Sequence, residues 1–234
     1  MSSDCVDAGV NFNAALANRL HRGSGVDLAG SIYAVPAPDR PAMARLLARR
    51  LAWVHADVFA DQRHGVSLDL IVALAGGGVG PIDVHLLTAG AMASLDVVCR
   101  PGITRVTFPF ENLDDVEATA ARIRASGARP WLAISPGTTL SQCADALAHA
   151  DGLLVMLLEP GDPGRSDLTL LAKVAAASEQ RPVGVDGGVG EANVAQVLAA
   201  GASYVVVGRQ LFLAPTTEPE TQQPQARNRS DDER

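Results

Sequence analysis

Eight short runs of β-branched and apolar residues recur along the sequence, and each of the first seven precedes a segment with the apolar spacing of an α-helix. Alternating strands and helices are typical of repeated βα units, whose strands pair in parallel. Eight such units in 234 residues predict an α/β fold, a closed (β/α)8 TIM barrel. The predicted strands are Val26–Tyr33, Trp53–Val58, Ile82–Leu87, Ile103–Phe108, Pro130–Ile134, Gly152–Leu157, Pro182–Val185 and Tyr204–Val207.

Helix-ending glycines support this division of the chain. Gly127 follows "ATAARIRAS" and Gly201 follows "ANVAQVLAA". A glycine at this place commonly adopts positive φ and ends the helix. The helices predicted between the strands are Pro41–Arg50, Val66–Ala75, Ala91–Cys99, Leu113–Ser126, Leu140–Ala148, Leu168–Ala177 and Glu191–Ala199.

Both ends of the chain depart from a minimal barrel. Residues 1–24 are predicted to be an N-terminal extension with an amphipathic helix over Asp7–Leu20, and residues 25–215 to be the barrel. Residues 216–234 have almost no apolar side chain, which predicts a disordered tail. An eighth barrel helix would ordinarily stand there, so we expect the N-terminal helix or a neighbouring subunit to cover this side of the barrel.

The charge and composition exclude several classes of partner. A net charge of −7 and 4% aromatic residues provide neither a basic field nor stacking platforms, so we expect no nucleic-acid partner. The N-terminal residues lack the continuous apolar run of a secretory signal, and no apolar run is long enough to span a bilayer. Three cysteines without paired spacing indicate reduced thiols. We therefore expect a soluble, cytoplasmic protein with no membrane partner.

Polar residues stand at the ends of three predicted strands. In "WVHADV", His55 and Asp57 are two residues apart and so point to the same face. His85 ends the next strand in "PIDVHLL", and Asp186 ends the seventh in "RPVGVDGGVG". Because chemistry in barrels sits at the carboxyl ends of strands, these four side chains are candidates for a common site. Two histidines and two carboxylates would suit a divalent metal, Zn²⁺, Fe²⁺, Mn²⁺ or Co²⁺.

Several motifs, taken in order, resemble those of the ribulose-phosphate 3-epimerase family. They are "HADV", "DVHLL", "LLVMLLEPG", "VGVDGGVG" and "YVVVGRQLF", and the likeness runs from about Gly30 to Phe212. The resemblance implies a metal-dependent barrel that inverts C3 of a ketopentose phosphate, D-ribulose 5-phosphate or D-xylulose 5-phosphate, through an enediolate. It also implies a homo-oligomer and a small sugar phosphate as the substrate.

The resemblance also assigns roles to individual residues. His55, Asp57, His85 and Asp186 match the family's metal ligands, and Asp57 and Asp186 match its two acid/base carboxylates. The residues expected to contact the substrate, including a glycine-lined pocket for its phosphate, are Ser31, His85, Met156, Gly161, Gly164, Gly187, Gly188, Gly208 and Arg209.

Two loops depart from the family's pattern and leave the substrate open. The family has a "DxMDGxFVPN" segment where this chain reads "DVFADQRHGVSLD", and a "PGFGGQ" loop where it reads "PGDPGR". In the second loop, Pro163 lacks a backbone donor and Asp162 repels phosphate. Arg209 stands where the family has a serine, and a guanidinium can bind phosphate in a bidentate manner.

Three alternatives to a ribulose-phosphate epimerase follow. One is an epimerase for another sugar phosphate, such as a ketohexose 6-phosphate. A second is a catalytically silent barrel, which the four intact residues argue against. A third is a decarboxylase, which usually needs a lysine in the site, whereas the only lysine here, Lys173, falls in a predicted helix.

Overall fold

Eight parallel strands close into a barrel in the order β1 to β8. This computed structural model describes residues 13–21, 25–50, 53–61, 64–159, 162 and 164–212. The predicted (β/α)8 barrel is confirmed. The strands are β1 Asp27–Ser31, β2 Trp53–Val58, β3 Ile82–Leu86, β4 Arg105–Pro109, β5 Arg129–Ile134, β6 Gly152–Met156, β7 Val183–Asp186 and β8 Tyr204–Val207.

Helices follow seven of the strands in this part of the chain, and one precedes β1. They are α1 Ala14–His21, α2 Arg40–Arg50, α3 Leu68–Gly76, α4 Leu95–Val98, α5 Val116–Ala125, α6 Ala144–Leu147, α7 Leu171–Ser178 and α8 Val194–Ala199. Short 3₁₀ helices cover Ile32–Ala34, Ala37–Asp39, Ala89–Ser94, Leu168–Leu170 and Arg209–Leu211.

Several predicted elements are shorter than expected. β1 ends at Ser31 rather than Tyr33, because the chain turns into a 3₁₀ helix there. The segment predicted as a helix over Ala91–Cys99 begins as the 3₁₀ helix Ala89–Ser94, and only Leu95–Val98 is α-helical. Before α6, the hydroxyl of Thr139 donates to the amide oxygen of Gln142. This local hydrogen bond replaces the first turn of the predicted helix.

Helix caps set several boundaries. The side chain of Ser67 accepts a hydrogen bond from the backbone of Leu70 at the start of α3, and Asp115 accepts one from Ala118 at the start of α5. Gly127 and Gly201 have φ of 88° and 89°. Both helix-ending glycines are therefore in the predicted conformation.

The N-terminal helix covers part of the barrel's closing side. Leu16 and Leu20 of α1 are buried in the core, and α1 packs against β1 and the 3₁₀ turn after β8. The backbone N–H of Asn13 donates to the carbonyl of Leu211 at 2.8 Å. The helix therefore packs against the closing side of the barrel, as one of the two expected covers would. The remainder of the predicted Asp7–Leu20 helix and the predicted tail, residues 216–234, lie outside the described residues. Among those that are described, no helix is long and apolar enough to cross a membrane.

The interior of the barrel has an aromatic floor. Trp53, Trp131 and Tyr204 point inward from three strands and form a cluster separate from the layer between sheet and helices. Their rings fit because β6 and β7 contribute glycines facing them. A Cβ on Gly152 would overlap the Trp131 ring, and one on Gly184 would lie 2.8 Å from Tyr204 Cδ1.

Replacing Gly152 with alanine tests this packing. We expect Gly152→Ala to destabilise the fold by about 1–3 kcal/mol through overpacking, seen as a lower Tm in thermal unfolding followed by circular dichroism. The matched control is Gly76→Ala in α3, where an added Cβ meets nothing within 4 Å. An unchanged Tm for Gly152→Ala would show that the barrel interior is loosely packed.

Candidate metal centre

Four side chains meet at the carboxyl ends of three strands. His55 and Asp57 project from β2, His85 from β3 and Asp186 from the end of β7, and one ligand atom from each lies within 4.8 Å of the others. Asp57 and His85 are register partners on neighbouring strands. Closure of the barrel brings Asp186 to them from the other side.

The polar atoms of the cluster face one another. His55 Nε2 lies 3.1 Å from Asp57 Oδ1 and 3.6 Å from Asp186 Oδ2. His85 Nδ1 lies 3.5 Å from Asp57 Oδ1 and 3.6 Å from Asp186 Oδ2. His55, Asp57 and His85 are buried, and Asp186 is half-buried. Two nitrogens and two oxygens therefore surround one small volume.

The residues of this cluster fit a divalent cation. His85 Nδ1 is buried and makes no hydrogen bond, although it points at two carboxylates. A buried polar atom without a partner calls for an explanation, and a bound ion is one. Imidazole nitrogens with carboxylate oxygens suit Zn²⁺, Fe²⁺, Mn²⁺ and Co²⁺.

Without a cation, the cluster holds its charge as ion pairs. Burial lowers the pKa of His55, but the surrounding acidic groups, Asp57 first among them, together outweigh burial and leave that pKa well above its usual value. Burial likewise lowers the pKa of His85, and the nearby carboxylates of Asp186 and Asp57 raise it above the ordinary value. Burial raises the pKa of each carboxylate, but the histidines outweigh it and lower both. A cation that binds here takes the place of these protons.

A second polar group lies below the cluster. His55 Nδ1 is 3.2 Å from Asp83 Oδ2, and Asp83 accepts a hydrogen bond from Tyr204 and pairs with Arg105. Burial raises the pKa of Asp83, but Arg105 and the His55 hydrogen bond outweigh it and bring the pKa to about 2. Sequence analysis missed these residues. Asp83 was detectable, since it stands two residues before His85 as His55 does before Asp57.

A cavity of about 1000 Å³ opens above the cluster. His85 is 1% exposed and is not among the lining residues, so it lies beneath the cavity rather than in its wall. Gly161 lies outside the described residues. The sequence-predicted residues that do line the cavity are Ser31, Asp57, Met156, Gly164, Asp186, Gly187, Gly188, Gly208 and Arg209.

Ser31 contacts the cluster directly. Its hydroxyl donates to Asp57 Oδ2 at 2.7 Å, whereas the other oxygen, Oδ1, faces the two histidines. Each oxygen of Asp57 therefore has a separate partner, which fixes the plane of the carboxylate.

The glycine turn after β7 is held by two side chains that sequence analysis did not single out. Ser166 Oγ donates to the carbonyl of Gly187 at 2.8 Å, and Asn193 Nδ2 donates to Ser166 Oγ and to the carbonyl of Gly188. Gly187 has φ of 113°, and a Cβ there would lie 2.9 Å from the backbone nitrogen of Leu158. Glycine is therefore required at this position.

The two altered loops carry interactions of their own. Asp162 Oδ1 accepts the backbone N–H of Gly164 at 2.7 Å, so a carboxylate occupies one donor of the loop after β6. In the loop after β2, exposed His64 lies with Nδ1 2.7 Å from Asp61 Oδ2. Both loops lie at the carboxyl end of the barrel, where substrates approach.

Comparisons with known proteins identify relatives and a common fold. The model of the ribulose-phosphate 3 epimerase family matches residues 28–212. The ribulose-phosphate 3-epimerase of Aquifex aeolicus is 31% identical over 149 residues, 60% of this chain and 67% of that protein. That of Mycobacterium tuberculosis is 30% identical over 171 residues, 68% of this chain and 75% of its own.

Among solved structures, a tryptophan synthase α-subunit from Pyrococcus furiosus superposes with a TM-score of 0.59. The alignment covers 79% of this chain and 87% of the other, at 16% sequence identity. At this identity the likeness concerns the barrel fold alone.

Removing one imidazole should weaken metal binding. We expect His55→Ala and His85→Ala each to raise the Kd for Zn²⁺ by more than about 100-fold, measured in competition with a chromogenic chelator. Loss of an outer-shell partner costs up to about 100-fold, and loss of a direct ligand should cost more. His64→Ala, which removes an exposed histidine of the nearby loop, should leave the Kd unchanged. Equal affinity in all three variants would place the metal elsewhere.

Proposed function

The chain belongs to the ribulose-phosphate 3-epimerase family, and we propose that it interconverts D-ribulose 5-phosphate and D-xylulose 5-phosphate with a divalent metal. The observation that carries this proposal is the pair of carboxylates, Asp57 and Asp186, that share two histidines and line the same cavity. An epimerase needs two such groups because a proton must leave one face of the sugar and enter the other.

The reaction begins at C3 of the ketose. The C3 proton is acidic because it is α to the C2 carbonyl, and its removal places negative charge on oxygen as an enediolate. One carboxylate takes this proton as general base, and the other delivers a proton to the opposite face as general acid. Asp57 from β2 and Asp186 from β7 supply the two groups.

His55, Asp57, His85 and Asp186 would hold the cation. When bound, the cation supplies a Lewis acid that stabilises negative charge on the substrate oxygen. Zn²⁺, Fe²⁺, Mn²⁺ and Co²⁺ all accept this set of ligands, and availability often decides between them.

Other residues prepare the carboxylates and the site. Ser31 holds Asp57 through Oδ2 and so aims Oδ1 into the cluster. Met156 adds an apolar wall to the cavity above. This wall excludes water and so strengthens the electrostatic contacts of the reacting atoms.

The phosphate of the substrate would bind where the chain leaves β7 and β8. Gly187, Gly188 and Gly208 present backbone there, and Arg209 lies beside them. The carboxylate of Asp162 takes up the N–H of Gly164 and adds negative charge. The guanidinium of Arg209 lines the same cavity and can bind phosphate oxygens in a bidentate manner.

A second candidate is an epimerase for a longer sugar phosphate, such as a ketohexose 6-phosphate. The Asp162–Gly164 and Asp61–His64 contacts favour it, because both loops that would meet the far end of the substrate differ from the family's pattern. A decarboxylase is disfavoured. The ammonium of Lys173 donates to the carbonyls of Pro136 and Thr138 rather than reaching the cavity.

Epimerisation in D₂O tests the proposal. Metal-loaded protein should convert D-ribulose 5-phosphate to D-xylulose 5-phosphate with deuterium entering at C3. Asp57→Asn and Asp186→Asn should each lower kcat by about 10²–10⁴-fold, the usual contribution of general acid–base catalysis. Asp114→Asn, at an exposed loop carboxylate, is the control and should leave turnover unchanged.

Each outcome of that assay separates the candidates. Near-normal turnover in either site variant would refute the acid/base assignment. Deuterium exchange without efficient conversion would favour the ketohexose phosphate. No exchange with metal bound and with either sugar phosphate would favour a catalytically silent barrel.

Arg209 should matter for binding rather than for proton transfer. We expect Arg209→Gln to raise KM for the sugar phosphate by about tenfold, since a hydrogen bond to a charged group contributes about 1.5–3 kcal/mol, with kcat little changed. Arg45→Gln on α2 removes an exposed arginine outside the cavity and should not alter either constant. A fall in kcat alone would place Arg209 away from the phosphate.

A further inference from the structure

A charged residue lies in the aromatic floor of the barrel. Arg105 on β4 is 1% exposed, and its Cζ lies 3.7, 4.1 and 4.2 Å from the ring centroids of Trp131, Tyr204 and Trp53. Its Nε and Nη1 are buried and make no hydrogen bond. Ring faces replace the hydrogen-bond acceptors that a buried guanidinium usually finds.

A buried arginine whose Nε and Nη1 make no hydrogen bond lowers the stability of the fold, so stability alone does not explain its presence. Apolar side chains of similar volume often stabilise a core as well as a buried ion pair does, or better. Departures from the rules of core packing concentrate at functional sites. The position of Arg105, directly below the candidate metal centre, is where such a function would act.

The ion-pair partner of Arg105 connects it to the centre. Asp83 on β3 is fully buried, and its Oδ2 lies 3.6 Å from Arg105 Nη1. Thr107 donates to Oδ1 and Tyr204 donates to Oδ2, both at 2.8 Å. With these two donors and the guanidinium of Arg105 around it, the carboxylate of Asp83 acts only as a hydrogen-bond acceptor.

His55 meets the same carboxylate with one ring nitrogen. Nδ1 lies 3.2 Å from Asp83 Oδ2, and Nε2 lies 3.1 Å from Asp57 Oδ1 in the metal centre. Asp83 can only accept, and the Tyr204 hydroxyl, which also lies 3.3 Å from Nδ1, gives its hydrogen to Asp83, so Nδ1 carries the ring hydrogen. The lone pair of the neutral ring is therefore on Nε2, where a cation would bind.

We propose that Arg105 and Asp83 are positioning residues that hold the ring of His55 with hydrogen on Nδ1 and the lone pair of Nε2 directed at the cation. Asp83 acts on His55 through its hydrogen bond. Arg105 acts through Asp83, because its guanidinium pairs with Asp83 Oδ2, the oxygen that faces His55 Nδ1, and so holds that acceptor in place against the ring. This inference rests on the proposed function only in taking the cluster to bind a divalent cation.

The test measures Zn²⁺ affinity of the full chain by chelator competition. Asp83→Asn and Arg105→Met should each raise the Kd about 10–100-fold, the usual cost of losing an outer-shell partner of a metal-bound histidine. Arg105→Lys keeps the charge and should restore affinity to within a few-fold of the original. Arg129→Met is the matched control, since Arg129 also stacks on Trp53, with Cζ 5.4 Å from the ring centroid, but has no contact with Asp83.

A second readout separates positioning from packing. In the Zn²⁺-loaded protein, proton NMR with ¹⁵N-labelled histidine should show a slowly exchanging Nδ1–H for His55. Asp83→Asn and Arg105→Met should accelerate its exchange with water, and Arg129→Met should not. Circular dichroism identifies the folded variants, and the isosteric Asp83→Asn decides the test where Arg105→Met does not fold.

Wild-type Zn²⁺ affinity and Nδ1–H exchange in a folded Asp83→Asn or Arg105→Met variant would overturn the inference. Failure of the proposed function has a different signature. The original protein would then bind Zn²⁺ and show the variant effects but would not epimerise the sugar phosphate. Loss of affinity in Arg105→Lys equal to that in Arg105→Met would also count against the role of the charge.

Discussion

Closure of the barrel is the constraint on which the site depends. β7 meets β8, β8 meets β1 and β1 meets β2, so Asp186 and Asp57 come together although they lie far apart along the chain. Two carboxylates at this distance repel each other in a buried site unless positive charge lies between them. The histidines provide it in the metal-free protein, and a divalent cation would provide it in the metal-bound one.

The interior of the barrel thus has two levels that are held together by different kinds of interaction. The upper level holds ionisable ligands at the edge of a cavity, and the lower one holds three aromatic rings around a guanidinium. Asp83 joins them, because it contacts His55 above and Arg105 below. Gly152 and Gly184 make the lower level possible by leaving room for Trp131 and Tyr204.

The parts of the site that follow from period-two alternation could be predicted from sequence. His55, Asp57, His85 and Asp186 stand at strand ends, and the rule that chemistry gathers there was sufficient to group them. Contacts across strands were harder. The pairing of Arg105 with Asp83 and the contact of Tyr204 with Asp83 depend on strand register and on the tilt of a closed barrel. The sequence of a single strand determines neither.

Helix lengths were predicted less well for a related reason. The apolar spacing around Leu140–Ala148 fits a helix, yet local side-chain bonds from Thr139 favoured a turn at its start. Such competition between a short polar side chain and the backbone is settled by a single hydrogen bond. The phosphate side of the cavity likewise depends on Ser166 and Asn193, whose role emerges only from the fold.

The pairing of the first strand with the last has a consequence for the order in which the protein folds. β1 pairs with β8, and the backbone of Asn13 bonds to that of Leu211, so the earliest and latest parts of the described chain close the barrel together. Contacts of such long sequence separation form slowly. Tyr204, which donates a hydrogen bond to Asp83, lies 149 residues after His55 in the sequence. The framework that aligns His55 is therefore complete only once the last strand has paired with the first.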